Sequence, residues 1–343
     1  MTTTRRPRSH VTVHDVAKDA GVSFSAVSKA LRAVPGVSME MRARVKASAE
    51  KLGYRPHAAA RGMRGQTYTL GVLISDLHNP FFAEIYRGFE DVLSDTPYHP
   101  FLGIGSADPA AENAMVDAMV DRQMDGLILV APVMAPADIQ VVADETPTVV
   151  LGVHLPDATG FDTVNNDDEL SASLVVGHLH EQGHRRIAFL TLGDLPHPAG
   201  VTVTFREKGY REAMQEMGLG DEVRVESASM HSDSIRAAAL RLLKSDTPPD
   251  AIFCWTDYVA FEVIGVVAEL GLSMPGDVAI VGHDNTPYCA LPQNGLTSVD
   301  QSGRLLGQQS AKMLLSRLRG RTAAQQYVVT PTLVARRSTL AWE

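Results

Sequence analysis

The sequence predicts two parts of different class: a small all-α module built on a helix-turn-helix, and a larger α/β part of two parallel-sheet subdomains. Three observations carry this. Charge divides sharply near residue 66, three short capped helices fit between residues 12 and 53, and strand-like apolar runs alternate with amphipathic helices beyond residue 68. The 343 residues include 31 Lys plus Arg and 40 Asp plus Glu, a net charge of -9. Read whole, that balance argues against a nucleic-acid partner, because a phosphate-gripping domain is normally basic. The average conceals two opposite signs. Residues 1–66 hold 13 Lys/Arg against 4 Asp/Glu, a net of +9, and residues 67–343 hold 18 against 36, a net of -18. Such asymmetry points to nucleic acid.

Other bulk properties narrow the class. The length allows two or three domains, and 45% apolar with 21% charged residues is ordinary for a soluble protein. Cys254 and Cys289 are too few for a disulfide framework and too far apart for a CxxC pair, which fits a reducing cytoplasm. The basic start MTTTRRPRSH is followed by no apolar signal core, and no apolar run reaches the roughly 18 residues of a membrane span. A soluble, cytoplasmic protein is expected.

The basic module begins with TVHDVAKDAGVSFSAVSKAL. Thr12 caps a short helix with an apolar face of Val13, Val16, Ala17 and Ala20. Gly21 allows a tight turn, and Ser23 caps a second helix from Phe24 to about Leu31 that buries Val27 and Ala30. Two short helices around such a turn describe a helix-turn-helix, whose second helix enters the major groove N-terminus first. Phe24, Ser25 and Lys29 then face outward toward base edges, with Ser28 placed for phosphate. The alternative is a helical hairpin packed on another domain. A third helix runs from Ser38, its N-cap, to Leu52, with Gly53 as C-cap; Met41, Val45, Ser48 and Leu52 form its core face, and Arg42, Arg44, Lys46 and Lys51 face out.

Next comes YRPHAAARGMRGQ. Pro56 suits a first helical turn, so His57 to Met63 forms about two turns at most. So short a helix is marginal in water, and Gly62 within it costs up to about 1 kcal/mol relative to Ala. It folds only when held. Alanines 58, 59 and 60 permit close approach to a symmetry mate, and Met63 suits a wedge between minor-groove base pairs. A plain flexible linker is the other reading.

The remainder alternates. Strand-like runs are TLGVLISD, FLGIG, GLILVAP, TVVLGV, RIAFLTLG, VRVESASM, AIFCW and DVAIVGHD, separated by amphipathic helices such as Phe81 to Leu93. Alternating βα units imply parallel sheets covered on both faces, with ligands outside the carboxyl ends of the strands. About ten strands divide better into two subdomains than one sheet. After the first strand come Ser75, Asp76 and then Asn79-Pro80-Phe81-Phe82 at a helix start, where Phe81 or Phe82 can stack on a sugar or base face.

The runs VTVHDVAKDAGVSFSAVSKAL, VS…ARV…LGYRPHAAAR and GVLISDLHNPFFAEIYRGFED, in this order, resemble the LacI/GalR family of bacterial repressors along essentially the whole chain. The resemblance implies a DNA-binding headpiece (1–55), a hinge helix (56–67) and a periplasmic-binding-protein-like core that binds a small effector and dimerises. It also implies three crossings between core subdomains near residues 164, 297 and 329: an N-subdomain of 68–164 plus 298–328, and a C-subdomain of 165–297 plus 329–343. On the DNA side it implicates Thr12, Ser23, Phe24, Ser25, Ser28, Lys29, Arg32, Tyr54, His57, Ala60 and Met63.

On the effector side, Ser75, Phe81 and Phe82 are joined by Arg206, where the family places an effector-clamping arginine, with Thr202 one helical turn before it. Asp284 in VGHDN matches a family aspartate that accepts from ligand hydroxyls, Gln301 lies near a crossing, and Met230 takes the place of a covering aromatic. The chain departs from the family at Thr256-Asp257, where Asn-Asp is common, and at His283, where an apolar residue is usual. His57 and Met63 replace the frequent Asn and Leu of the hinge. After Val334 no leucine heptad follows, so a dimer is expected rather than a tetramer.

Enzyme signals are weak. Residues 180–184 read His-Glu-Gln-Gly-His, a match to the zinc-protease pattern that needs both histidines on one face of an unbroken helix. Gly183 just before the strand RRIAFL ends that helix, so no metal is expected. Gly103-Ile104-Gly105 lacks the third glycine of a dinucleotide fingerprint, and neither a GxxxxGK loop nor a GxSxG elbow occurs. The expectation is a repressor without cofactor or catalysis that binds a pseudo-palindromic operator as a dimer. A small effector switches it, a sugar by preference, with a nucleoside as the other candidate because His283 and the Phe pair can also flank a base. A solute-binding receptor and a sugar-processing α/β enzyme are the alternatives. The +9 module opposes the first, and missing phosphate and metal motifs oppose the second.

Overall fold

A computed structural model describes residues 11–31, 36–54, 66–193 and 202–340. Two compact units appear, Met1–Thr67 and Tyr68–Glu343. In the first, α1 (Val13–Ala20) is closed by a capping box: the Asp15 N–H donates to Thr12 Oγ1, and the Thr12 N–H donates to Asp15 Oδ2 at 2.8 Å. Gly21, with φ 62°, ends α1 in the left-handed conformation that L side chains avoid. Ser23 Oγ accepts from the Ala26 N–H and starts α2 (Phe24–Leu31). The third helix, α3 (Met39–Leu52), starts at Ser38 and is tied to α1 through Asp19, which accepts from Ser48 and Lys51 at 2.8 Å each. Val16, Ala17, Ala20, Val27, Ala30, Val45 and Ala49 form the core, with Leu52 and Tyr54 partly buried against it. Arg42, read as outward, is instead half-buried, with its Nε out of water.

The second unit holds two six-stranded sheets. The first, in order β11 (Gln326–Val329), β5 (Asp162–Asn166), β4 (Thr148–Leu151), β3 (Gly126–Val130), β1 (Thr69–Ile74) and β2 (His99–Ile104), is wholly parallel. The second runs β12 (Thr332–Val334), β10 (Thr297–Asp300), β9 (Ala279–His283), β8 (Ala251–Cys254), β6 (Ile187–Leu192) and β7 (Arg224–Ala228). Only its β12 is antiparallel. The strands β1, β3, β4, β6, β8 and β9 are apolar and almost wholly buried, as sheets covered on both faces require. Between them lie α4 (Phe81–Leu93), α5 (Pro109–Asp121), α6 (Pro136–Glu145), α7 (Asp168–Glu181), α8 (Thr202–Glu216), α9 (Ser232–Leu243), α10 (Asp257–Glu269) and α11 (Gly303–Leu318). Among the described residues no helix is long and apolar enough to cross a membrane.

The chain passes between the sheets after β5, between β10 and α11, and between β11 and β12. The middle crossing lies at Gln301–Ser302 rather than at 297, because Thr297 to Val299 continue the second sheet opposite Val281 to His283. Four short strands escape the sequence reading: β5, β10, β11 and β12. β5 and β10 are largely polar, and β11 and β12 are exposed or half-buried for most of their length, so none of them shows the apolar run of β1, β3 or β6.

Past that crossing, α11 packs along α4 with almost no room between backbones. A Cβ at Gly307 would lie 2.0 Å from the Ile85 carbonyl oxygen, and one at Gly88 would lie 2.2 Å from that of Arg304. At the far end of α11, Asp162 is buried beneath Arg317 (2.9 Å) and Arg321. Burial alone pushes the Asp162 carboxyl up, but hydrogen bonds from Arg321, Arg317 and the Gln325 N–H outweigh it and hold the group below the ordinary aspartate value. Its depressed value means that this stabilisation is present above the unfolded-state pKa and is lost as pH falls through the folded one. Two outcomes are expected in urea denaturation. Gly307→Ala destabilises the unit by about 1–3 kcal/mol through overpacking. Asp162→Asn lowers stability at neutral pH and flattens its decline toward acid; an unchanged acid limb would show that Asp162 does not contribute to it.

Candidate functional site

Strand ends of both sheets converge on one cavity of about 1120 Å³, its open mouth included. Ser75 and Asp76 follow β1, Asn166 ends β5, Trp255 and Thr256 follow β8, and Asp284 follows β9. The cavity brings together Ser75, Phe81, Phe82, Thr202, Arg206, Met230, Thr256, Asp284 and Gln301, the nine residues singled out in the sequence. It adds Asp76, Asn79, Asn166, Asp168 and Trp255.

Arg206, on α8, is 3% exposed. Its Nε and Nη2 donate to Asp168 Oδ1 at 3.1 and 2.6 Å, its Nη1 donates to the Trp255 carbonyl at 2.7 Å, and the guanidinium lies 4.0 Å from the Trp255 ring centroid. A planar cation stacked on an indole face and gripped by a carboxylate has one orientation. The second Asp168 oxygen lies 2.8 Å from His154 Nε2, and the His154 ring leans on Phe205 at 4.3 Å between centroids. Arg206 is therefore aimed by a chain of three side chains before any ligand arrives.

Asp284 faces the same space from the other side. Its backbone has φ 116°, a strained value for a non-glycine residue, and its N–H is fixed to the Val299 carbonyl at 2.9 Å. Gln301 Nε2 donates to Oδ1 at 2.5 Å and Asn79 Nδ2 to Oδ2 at 2.8 Å. Burial, then the neighbouring Asp257 charge, pushes the Asp284 carboxyl well above the ordinary aspartate value, against the pull of its amide donors and of Arg206. Burial also pushes Asp257 up; it accepts from Ser298 Oγ at 2.5 Å and the Thr286 N–H at 2.6 Å, pinning the turn that carries Asp284. Thr256, the short hydroxyl in place of the family's amide, caps α10 by accepting from the Val259 N–H. Asn166 gives its amide hydrogen to Ser171 Oγ at 2.7 Å, and its Oδ1 has no hydrogen-bond partner among the described residues. The arrangement can donate to and accept from a hydroxyl-rich molecule while Phe81, Phe82 and Trp255 cover its apolar faces.

His283 corrects one reading. Offered in the sequence as a flank for a nucleobase, it is fully buried and absent from the cavity lining, and burial, then the Arg206 charge, drives it well below the usual histidine value. The two histidines of the zinc-like pattern also separate: α7 ends at Glu181, Gly183 turns with φ 95°, and His184 Nδ1 lies 3.7 Å from Asp250.

Within the headpiece unit, Phe24, Ser25 and Lys29 are exposed on α2, with Ser23 beside them and Ser28 half-buried. Phe24 stacks on His14, centroids 5.1 Å apart. Thr12 is exposed and occupied as the α1 cap, whereas Tyr54 packs partly buried against the headpiece core. Arg32, His57, Ala60 and Met63 lie outside the described residues.

Asp168 and Asn79 were missed for different reasons. Asp168 follows β5, whose run DTVNN does not look like a strand, so its place at a strand end was invisible. Asn79 was legible only as a helix-start residue, because its partner Asp284 is 205 positions away. Trp255 could have been found as the last residue of the run AIFCW.

Residues 12–57 match the family described as bacterial regulatory proteins, lacI family, and residues 176–339 match a periplasmic binding protein-like domain. The catabolite control protein A of Priestia megaterium is 33% identical over 94% of this chain and 97% of its own length. The HTH-type transcriptional repressor CytR of Escherichia coli is 29% identical over 92% of each. The lac repressor dimer bound to operator and an anti-inducer has the same fold, with a TM-score of 0.83 at 24% identity over 97% of this chain and all of that one. The regulator CelR in complex with cellobiose has a TM-score of 0.70 at 27% identity over 96% of this chain and all of that one. These relatives are regulators rather than enzymes, and this chain belongs to the lacI family of bacterial regulatory proteins.

Proposed function

We propose that this protein is a cytoplasmic transcriptional repressor that binds a pseudo-palindromic operator as a homodimer and responds to a sugar in the inter-subdomain cavity. The observation that carries the sugar reading is the pairing of a preoriented Arg206 with Asp284, Asn166 and a Trp255/Phe81/Phe82 wall. A sugar offers vicinal hydroxyls to a fork donor and carboxylate acceptors, and its C–H faces suit aromatic rings. CelR, captured with cellobiose, is consistent with this choice. His283, outside the lining, supplies no flank for a base, which leaves the nucleoside without that support.

On the DNA side, α2 presents Phe24, Ser25 and Lys29 to the major groove, and the +9 charge of residues 1–66 supplies the salt-sensitive phosphate attraction. Paired hinge segments carrying Met63 enter the minor groove when the core subunits hold the required spacing, and the effector alters that spacing. Coupling of this kind is reciprocal, so operator DNA changes effector affinity by the same factor. The test is a gel-shift assay with the DNA upstream of the gene itself, at two salt concentrations and with a panel of sugars. A salt-insensitive shift, or none, would overturn the repressor reading. Lys29→Ala is expected to weaken the specific complex by about tenfold or more. For Arg206→Lys, which keeps the charge but not the fork, operator binding persists while thermal stabilisation by the active sugar disappears; retained stabilisation would remove Arg206 from the site.

A further inference from the structure

Asn79 belongs to the first subdomain, between β1 and α4, whereas Asp284 belongs to the second, after β9. Their hydrogen bond, Asn79 Nδ2 to Asp284 Oδ2 at 2.8 Å, therefore spans the cleft. Asn79 is held in place for it. Its N–H donates to Asp76 Oδ1 at 3.2 Å, its Oδ1 accepts from the Phe81 N–H at 3.0 Å, and the residue is 8% exposed. With the oxygen engaged at the start of α4, the amide nitrogen can only point away from that helix. Asp284 is equally constrained, by its fixed N–H, its left-handed backbone and the Gln301 amide on its other oxygen. Gln301 itself sits on the crossing strand between the subdomains.

We infer that the Asn79–Asp284 hydrogen bond is a latch that holds the two subdomains together without effector, and that an effector hydroxyl engages Asp284 by displacing the Asn79 amide. This rests on the reading of the cavity as the effector site. Each oxygen of Asp284 already accepts from one buried amide and keeps one further acceptor site, so a hydroxyl arriving along the side of Oδ2 that Asn79 occupies competes with that amide. Gln301 lies on the covalent connection and can follow Asp284, whereas Asn79 must part from it if the subdomains rotate. Asn79 is then a positioning residue through which ligand chemistry at Asp284 reaches the first subdomain.

The test uses the full chain, without ligand. Asn79→Ser and Asn79→Asp both retain an acceptor for the Phe81 N–H and remove the Nδ2 donor; the second also sets a carboxylate against Asp284. A buried hydrogen bond of this kind is worth about tenfold in an equilibrium constant. Faster amide hydrogen exchange is therefore expected in peptides covering residues 74–82 and 283–302, by about tenfold in Asn79→Ser and more in Asn79→Asp. Ligand-free operator affinity should change by at least about threefold, with the midpoint of thermal unfolding nearly unmoved. A purely structural cap would leave exchange and operator affinity unchanged in both variants. Wild-type exchange across the cleft, or unchanged operator affinity, would overturn the latch. A failure to find any sugar that binds would overturn the effector reading instead, and would leave the ligand-free exchange data as they stand.

Discussion

Charge taken out of water governs this structure. Arg206, Asp168, Asp257 and Asp284 are all nearly or wholly buried around one cavity. A titratable group in so dry a place either finds its partners or shifts towards its neutral form, as burial drives Asp257 and Asp284 to do, and an unpaired ion there costs several kcal/mol. Each of the four therefore dictates its surroundings. Asp168 fixes Arg206, Trp255 supplies both a carbonyl and a ring, Asp257 draws in Thr286 and Ser298, and Asp284 recruits amides from both sides of the cleft. The parallel sheets bring these groups together because both contribute strand ends to the cavity. The Asn79–Asp284 hydrogen bond joins the two halves directly.

The acidic core and the basic headpiece follow the same logic at longer range. The core carries a net of -18 and would be repelled by a duplex, whereas the +9 module is attracted to it. Attraction is thereby confined to one end of the chain, and a compact headpiece of three short helices with its own core is sufficient to deliver it.

How much of this was legible depended on whether the signal was local. Capping boxes, αL glycines and the 3.6-residue period are local, so α1, α2 and α3 were readable almost residue by residue. Apolar runs such as TLGVLI and AIVGH were equally clear as buried strands. The run DTVNN was not, because β5 is fully buried yet polar at four of its five residues: Asn165 gives its amide to the Val153 carbonyl, and Asp162 is met by two arginines. Its polarity is paid for by partners far away in sequence. The candidate cavity divided likewise. Residues carried by a recognisable motif, such as Arg206 and Asp284, could be named, while Asp168 and Asn79 depend on contacts across 38 and 205 positions.

One feature of the topology bears on how the protein comes to be made. The edge strands β11 and β12, which complete the first and second sheets, lie within residues 326–334. Beyond them Ser338 and Thr339 are buried, donating to the Ile280 carbonyl and meeting Thr297 and His178. Neither sheet is whole until this stretch has left the ribosome. Residues 68–325 can collapse earlier, but β5 and β10 then lack the neighbours that β11 and β12 give them. The headpiece core, built from residues 16–49, has no such delay. The DNA-reading module can thus close before the sensor, and a message cut short before residue 326 would leave β5 and β10, otherwise interior strands, as exposed edges.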